Sequence, residues 1–114
     1  MRLEPYNEAM DKLAMLNEIL AQNPNDAFAR YGLAIEKASK NDIEGALSEF
    51  DLLNAQHPDY TAGYQMAAQT LAKAGRNDEA RQRLLAGIAC AQRTNNTHAQ
   101  REMQALLDDI ELGI

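Results

Sequence analysis

The side chains with the greatest chemical potential in this sequence are two histidines and one cysteine. His57 precedes a proline at a predicted helix end, and His98 opens another predicted helix. Neither has a second histidine or cysteine at a metal-ligand spacing such as i+4. Cys90 falls on the apolar side of a predicted helix, near Leu84 and Ile88. We expect this thiol to be buried and inert, the alternative being a reactive or dimerising one.

Other catalytic patterns are weak as well. No serine is accompanied by a histidine and an aspartate in the arrangement that a catalytic triad needs. The six glycines are scattered and form no phosphate-binding loop. Asp108, Asp109 and Glu111 lie near the C-terminus, where we expect them to form the solvated face of a helix. The sequence therefore predicts no enzyme activity, no metal and no cofactor.

The charge balance narrows the classes of partner. The 114 residues include 11 Lys and Arg and 17 Asp and Glu, which gives a net charge of -6. This balance argues against nucleic acid and membrane surfaces as partners, since both need a basic patch. No segment approaches the roughly 20 apolar residues of a membrane span, and residues 1–8 lack the apolar core of a signal peptide. We expect a cytoplasmic protein, the alternative being a periplasmic one that has lost its leader.

The elements that must position any binding residues are predicted to be helices. Good helix formers dominate, and strands of alternating β-branched residues are absent. Proline, glycine and asparagine breakers divide the chain into six predicted helices. They cover about 6–22, 26–39, 42–55, 60–74, 78–93 and 97–112. Asn41 with Glu44, and Thr97 with Gln100, have the spacing of a capping box, which predicts Asn41 and Thr97 as N-caps.

Small residues recur at a fixed interval along these helices. Pro24 and Pro58 are 34 residues apart, and four pairs of alanines share that interval: Ala34 and Ala68, Ala38 and Ala72, Ala46 and Ala80, Ala55 and Ala89. Helix pairs can stack closely only where small residues lie at their crossing points. Larger residues, such as Phe50 and Leu84, would fill the spaces between.

With this interval, the segments Tyr31-Gly32-Leu33-Ala34 and Gly75-Arg76-Asn77-Asp78-Glu79-Ala80 resemble the tetratricopeptide repeat (TPR) family. The resemblance is strongest over 27–93. Arg30 and Lys37 occupy positions where the family prefers aromatic residues, and Gln92 replaces a closing proline. The chain is also similar to small, uncharacterised bacterial proteins of this family, which supply no known activity.

The resemblance implies an all-α fold, a right-handed superhelix of antiparallel helix pairs. It divides a single domain, 1–114, into an N-terminal helix at 6–22, repeat one at 25–58, repeat two at 59–93 and a capping helix at 97–112.

In the TPR family, the first helices of successive pairs line a concave groove that binds an extended peptide or a helix. On this sequence the resemblance implies groove positions at Phe28, Tyr31, Ile35, Ser39, Ala62, Gln65, Gln69, Lys73, Gln100, Arg101 and Gln104. One end would be apolar and the other rich in amides with two positive charges. The alternative is that Phe28, Tyr31 and Ile35 pack against the N-terminal helix.

One subtype of the family grips the acidic C-terminal tails of chaperones with Lys and Asn side chains. Tyr31, Ile35 and Met66 occupy the clamp positions here, so we expect no binding of chaperone tails.

Two functions remain after these exclusions. The first is a module or scaffold that binds a protein or peptide partner through the groove. The second is a homodimer through the array ends. It is suggested by the N-terminal helix, whose apolar residues Met10, Leu13 and Leu16 have no helix before them to cover them.

A chain that ends at Asn96 is expected to unfold or aggregate. The reason is that a helix pair cannot bury its apolar stripe without a neighbouring helix. Thermal unfolding of the truncated and full chains, followed by circular dichroism, measures the effect. Cooperative melting of the truncated chain at an unchanged midpoint would refute the expectation.

Overall fold

The computed structural model describes residues 8–113, and the side chains of residues 11–113. Within that part of the chain the fold is all-α, as predicted, with six helices: α1 (Glu8–Gln22), α2 (Ala27–Ser39), α3 (Ile43–Gln56), α4 (Thr61–Lys73), α5 (Asn77–Arg93) and α6 (Thr97–Leu112). The predicted start of the first helix at residue 6 and the side chain of Met10 lie outside the described residues.

Three of the five turns have the same conformation. The central residues of the α2–α3, α4–α5 and α5–α6 turns are left-handed: Asn41 (φ 63°), Gly75 (φ 77°) and Asn95 (φ 57°). In each turn the next amide donates to a carbonyl five residues back: Asp42 to Lys37, Arg76 to Leu71 and Asn96 to Ala91, at 2.8–2.9 Å. This is the Schellman motif, which favours glycine or asparagine at its left-handed position.

Both predicted N-caps were wrong by one residue. Asp42 caps α3 by accepting from the Gly45 amide at 3.0 Å, and Asn96 caps α6 by accepting from the Ala99 amide at 3.1 Å. Asn41 cannot cap α3 because its backbone is already used to end α2. Thr97 is already inside α6.

The other two turns contain the prolines that are 34 residues apart. The amides of Asp26 and Tyr60 each donate to a carbonyl three residues back. His57 Nε2 lies 2.7 Å from the carbonyl oxygen of Asn25, so the side chain links the two proline turns. At the third position of the series stands Gln92, and α5 continues through it to Arg93, giving 17 residues where α3 has 14.

The helices pack in chain order, each against the next, in a body measuring 57 × 29 × 22 Å. The alanines predicted at the crossing points, Ala34, Ala46, Ala68 and Ala80, have no exposed surface, which confirms their structural role. Phe50 and Leu84 fill the spaces beside them and are also fully buried. Side-chain size along the sequence thus sets how closely the helices approach.

The closest approach of three helices is at Gly87 in α5. A Cβ added there would lie 2.5 Å from Met103 Sδ in α6 and 2.9 Å from Tyr64 Cβ in α4. The sulfur ends a flexible side chain, but the Tyr64 Cβ is fixed to its backbone. A side chain at residue 87 would therefore force α4 and α5 apart.

The positions that depart from the TPR pattern form an ion-pair cluster between α2 and α3. Glu49 accepts from Arg30 Nη1 at 2.9 Å and from Lys37 Nζ at 2.7 Å. Its side chain is only 14% exposed. Burial by itself would raise the pKa of the Glu49 carboxyl, but the hydrogen bonds and charges of Lys37 and Arg30 bring the pKa below its ordinary value.

Gly87→Ala is expected to destabilise the protein by about 1–3 kcal/mol from overpacking, which outweighs a gain of up to about 1 kcal/mol in helix propensity. Ala86→Gly, at the neighbouring exposed position, is the control for propensity and should lose about 1 kcal/mol. Urea unfolding measures both variants. Stabilisation by Gly87→Ala would show that the helices are not in close contact at this position.

Glu49→Gln is expected to lower the free energy of unfolding at neutral pH by about 1–2 kcal/mol. Because the folded-state pKa is lowered, the carboxylate stabilises the fold above its ordinary pKa of 4.5. That stabilisation is lost as the pH falls through the folded-state value. The difference between wild type and variant should therefore narrow toward about pH 3, as measured by urea unfolding at several pH values.

Glu44→Gln is the matched control for this prediction. Glu44 lies on the same helix and pairs with Arg76, but its side chain is 77% exposed. Its loss should change stability by less than about 0.5 kcal/mol. Equal effects of the two substitutions would contradict a special contribution from the buried cluster.

Candidate functional site

The candidate site is the face formed by α2, α4 and α6. In the described part of the chain, α4 contacts both α2 and α6, whereas α3 and α5 do not contact each other. Alternate helices therefore converge on one side of the stack and diverge on the other. We call the side lined by α2, α4 and α6 the concave face.

A first cleft lies between α2 and α4 on this face and has a volume of about 270 Å³. Ile35, Ala38, Ile43 and Met66 give it apolar walls. Its polar lining comes from Ser39, Asn41, Gln69, Thr70 and Lys73. An aliphatic side chain of a ligand could be buried among these walls, with polar groups around it.

A second cleft lies between α4 and α6 and has a volume of about 360 Å³. Its apolar lining comes from Leu84, Met103, Ala105 and Leu106, and its polar lining from Gln65, Gln69, Glu102 and Asp109. Gln69 lines both clefts, so they adjoin along α4. Gln65 Nε2 donates to Glu102 Oε1 at 3.0 Å and links α4 to α6.

The structure brings together five of the residues named from the sequence. Ile35, Ser39, Gln69 and Lys73 line the first cleft, and Gln65 joins Gln69 in the second. These positions follow from the helical period of α2 and α4, which puts residues three or four apart on one face.

Phe28 and Tyr31 line neither cleft. Phe28 is 75% exposed. Tyr31 packs against the core between α2 and α3, with its ring centroid 5.5 Å from that of Tyr60. Burial raises the pKa of the Tyr31 phenol, and the charge of Tyr60 adds to the shift. The cluster on α1 instead packs against Ala29 and Leu33.

The three residues named on α6, Gln100, Arg101 and Gln104, line neither cleft. Gln104 Nε2 donates to Asp108 Oδ1 at 3.0 Å within α6 itself. The side of α6 that faces the clefts carries Glu102, Ala105, Leu106 and Asp109.

A sequence signal for the α6 cleft residues does exist. Ala99, Met103 and Leu107 are buried at i, i+4 and i+8, and Glu102 and Leu106 flank that stripe on one side. Gln100 and Gln104 flank it on the other side. The stripe fixes both flanks, but only the packing of α6 on α4 decides which flank faces the clefts.

The residues first considered for chemistry have structural contacts. Cys90 is buried, with its Sγ 3.2 Å from Thr61 Oγ1. His98 Nε2 lies 3.3 Å from Glu102 Oε2, one helical turn along α6. Within residues 8–113, no three His, Cys, Asp or Glu side chains are grouped so as to hold a metal ion.

Membrane insertion was tested on the described helices. Within residues 8–113, none is both long enough and apolar enough to span a bilayer.

Together, the stacked helix pairs, the recurring turns and the concave face define a TPR-like helical-repeat protein. Over 96 residues the chain is 28% identical to a TPR repeat-containing protein from Pseudomonas aeruginosa, covering 84% of this chain and 91% of that protein. No protein-family model matches the chain.

Two solved structures are similar to this fold. The crystal structure of a tetratricopeptide repeat domain protein from Salinibacter ruber has a TM-score of 0.68 and 28% identity, covering 75% of this chain and 96% of that one. The solution structure of a Bordetella parapertussis protein has a TM-score of 0.77 and 22% identity, covering 99% of this chain and 91% of that one. The resemblance to small bacterial TPR proteins and the TPR-like fold are thereby confirmed.

Proposed function

We propose that the protein is a non-enzymatic interaction module whose concave face holds an extended segment of another polypeptide. The observation that carries the proposal is the pair of adjoining clefts, each with apolar walls and polar groups, on either side of α4. TPR proteins are typically interaction modules, which agrees with this assignment.

The clefts supply affinity through burial. Ile35 and Met66 are partly exposed in the absence of a partner. A leucine-sized side chain placed between them would contribute about 1.5–3 kcal/mol by leaving water.

The amides on α4 supply a second contribution that does not depend on the ligand's sequence. Gln69 lies between the clefts, where the backbone of a ligand bound in both would cross. A glutamine amide can donate to a carbonyl and accept from an N–H at the same time. An extended chain leaves both groups free, whereas a helix uses them internally. The amide therefore favours an extended ligand.

A homodimer through the N-terminal end has less support. Leu16 and Leu20 are buried against α2, so the apolar stripe that suggested a dimer is covered within the chain. The large apolar side chains left exposed on the described part of α1 are Met15 and Ile19. They border a shallow depression of about 190 Å³, smaller than either cleft.

Gln69→Trp is expected to abolish partner binding, because an indole at this position would fill the junction of the two clefts without touching the buried core. Gln82→Trp is the matched control, since Gln82 is exposed on α5 and lines neither cleft. Affinity purification from the native host identifies proteins that wild type and Gln82→Trp retain and Gln69→Trp loses.

Titration with the purified partner then completes the test, and we expect Gln69→Trp to weaken binding by at least about tenfold. Circular dichroism of both variants checks that they fold. Equal binding by Gln69→Trp, Gln82→Trp and wild type would place the binding surface elsewhere.

A further inference from the structure

We propose that the concave face selects an extended segment that carries an aliphatic side chain and, about three residues away, a lysine or arginine. This inference rests on the proposed function and specifies the partner's chemistry. The aliphatic side chain would occupy the first cleft, and the basic one the second cleft.

The two clefts carry opposite charges. Lys73 is the only charged residue lining the first cleft, and Glu102 and Asp109 are the charged residues of the second. No described residue forms an ion pair with Lys73 or with Asp109. Glu102 already accepts from Gln65, yet its side chain is still 52% exposed. A cationic side chain in the second cleft would therefore meet two accessible carboxylates.

The walls of the second cleft suit a long basic side chain. Lysine and arginine have apolar stems and charged heads. Leu84, Met103 and Leu106 provide apolar surface for a stem, and Glu102 and Asp109 provide partners for the head. A carboxylate in the same place would be repelled by both acids.

Lys73 sets the register of the bound segment. Its ammonium would repel a basic side chain from the first cleft, so a ligand that shifts by one cleft loses one favourable contact and gains a repulsive one. The clefts lie on opposite sides of α4, so their separation is near one helix spacing, roughly 10 Å. An extended chain covers that distance in about three residues.

The charge of the whole chain acts in the same direction. The net charge is -6, and α6 also carries Asp108 and Glu111 beyond the clefts. A basic segment would be attracted over a longer range than the clefts themselves reach, at low salt above all. The test must therefore separate this general attraction from recognition in the second cleft.

Panning a phage-displayed library of random dodecapeptides against the full chain tests the inference. We expect enrichment of peptides with an aliphatic residue and a lysine or arginine about three positions apart. Enriched peptides that are acidic, or that lack a basic residue at a fixed spacing, would overturn it while leaving the proposed function standing.

Two pairs of substitutions with the same change in net charge complete the test. A synthetic peptide of the most enriched sequence should bind Glu102→Gln with Asp109→Asn about three- to fivefold more weakly than wild type. Asp108→Asn with Glu111→Gln, which lie outside both clefts, should bind nearly as wild type does. Equal losses in the two pairs would mean general attraction only and would overturn the inference.

The proposed function fails in a different way. If the enriched peptides bind Gln69→Trp as tightly as wild type, or if panning enriches no peptide, both the groove and its selectivity are refuted.

Discussion

Close approach between neighbouring helices is the constraint on which the rest of this structure depends. Ala34, Ala46, Ala68 and Ala80 have no exposed surface because a methyl group is all that fits where one helix crosses the next. At Gly87 not even a methyl group fits, since Met103 and Tyr64 already occupy that space. These contacts keep alternate helices in contact on one side of the stack, and that side is the concave face.

The turns carry out what the packing requires. Three Schellman turns and two proline turns connect six helices, and the proline turns are 34 residues apart. Where Gln92 replaces the third proline, α5 runs on to Arg93 and a Schellman turn leads into α6. The last helix therefore packs back on α5 and also reaches α4, which creates the second cleft. One missing proline thus accompanies half of the candidate binding surface.

Much of the fold could be predicted from the sequence because helix boundaries and crossing points depend on local chemistry. Breakers placed the six helices, and residue size at a 34-residue interval placed the contacts. The partners of Arg30 and Lys37 were out of reach, since both charges meet Glu49 on the next helix. The N-caps shifted by one residue because Asn41 ends α2 before α3 begins.

The same division holds for the candidate site. The period of a single helix put Ile35 on the concave side of α2, and Gln69 and Lys73 on that of α4, because residues three or four apart share a face. Which flank of α6 meets α4, and therefore that Glu102 and Asp109 are the acids of the second cleft, was decided by packing alone. A helical stripe fixes what is buried, but its two flanks are equivalent until a neighbouring helix covers one of them.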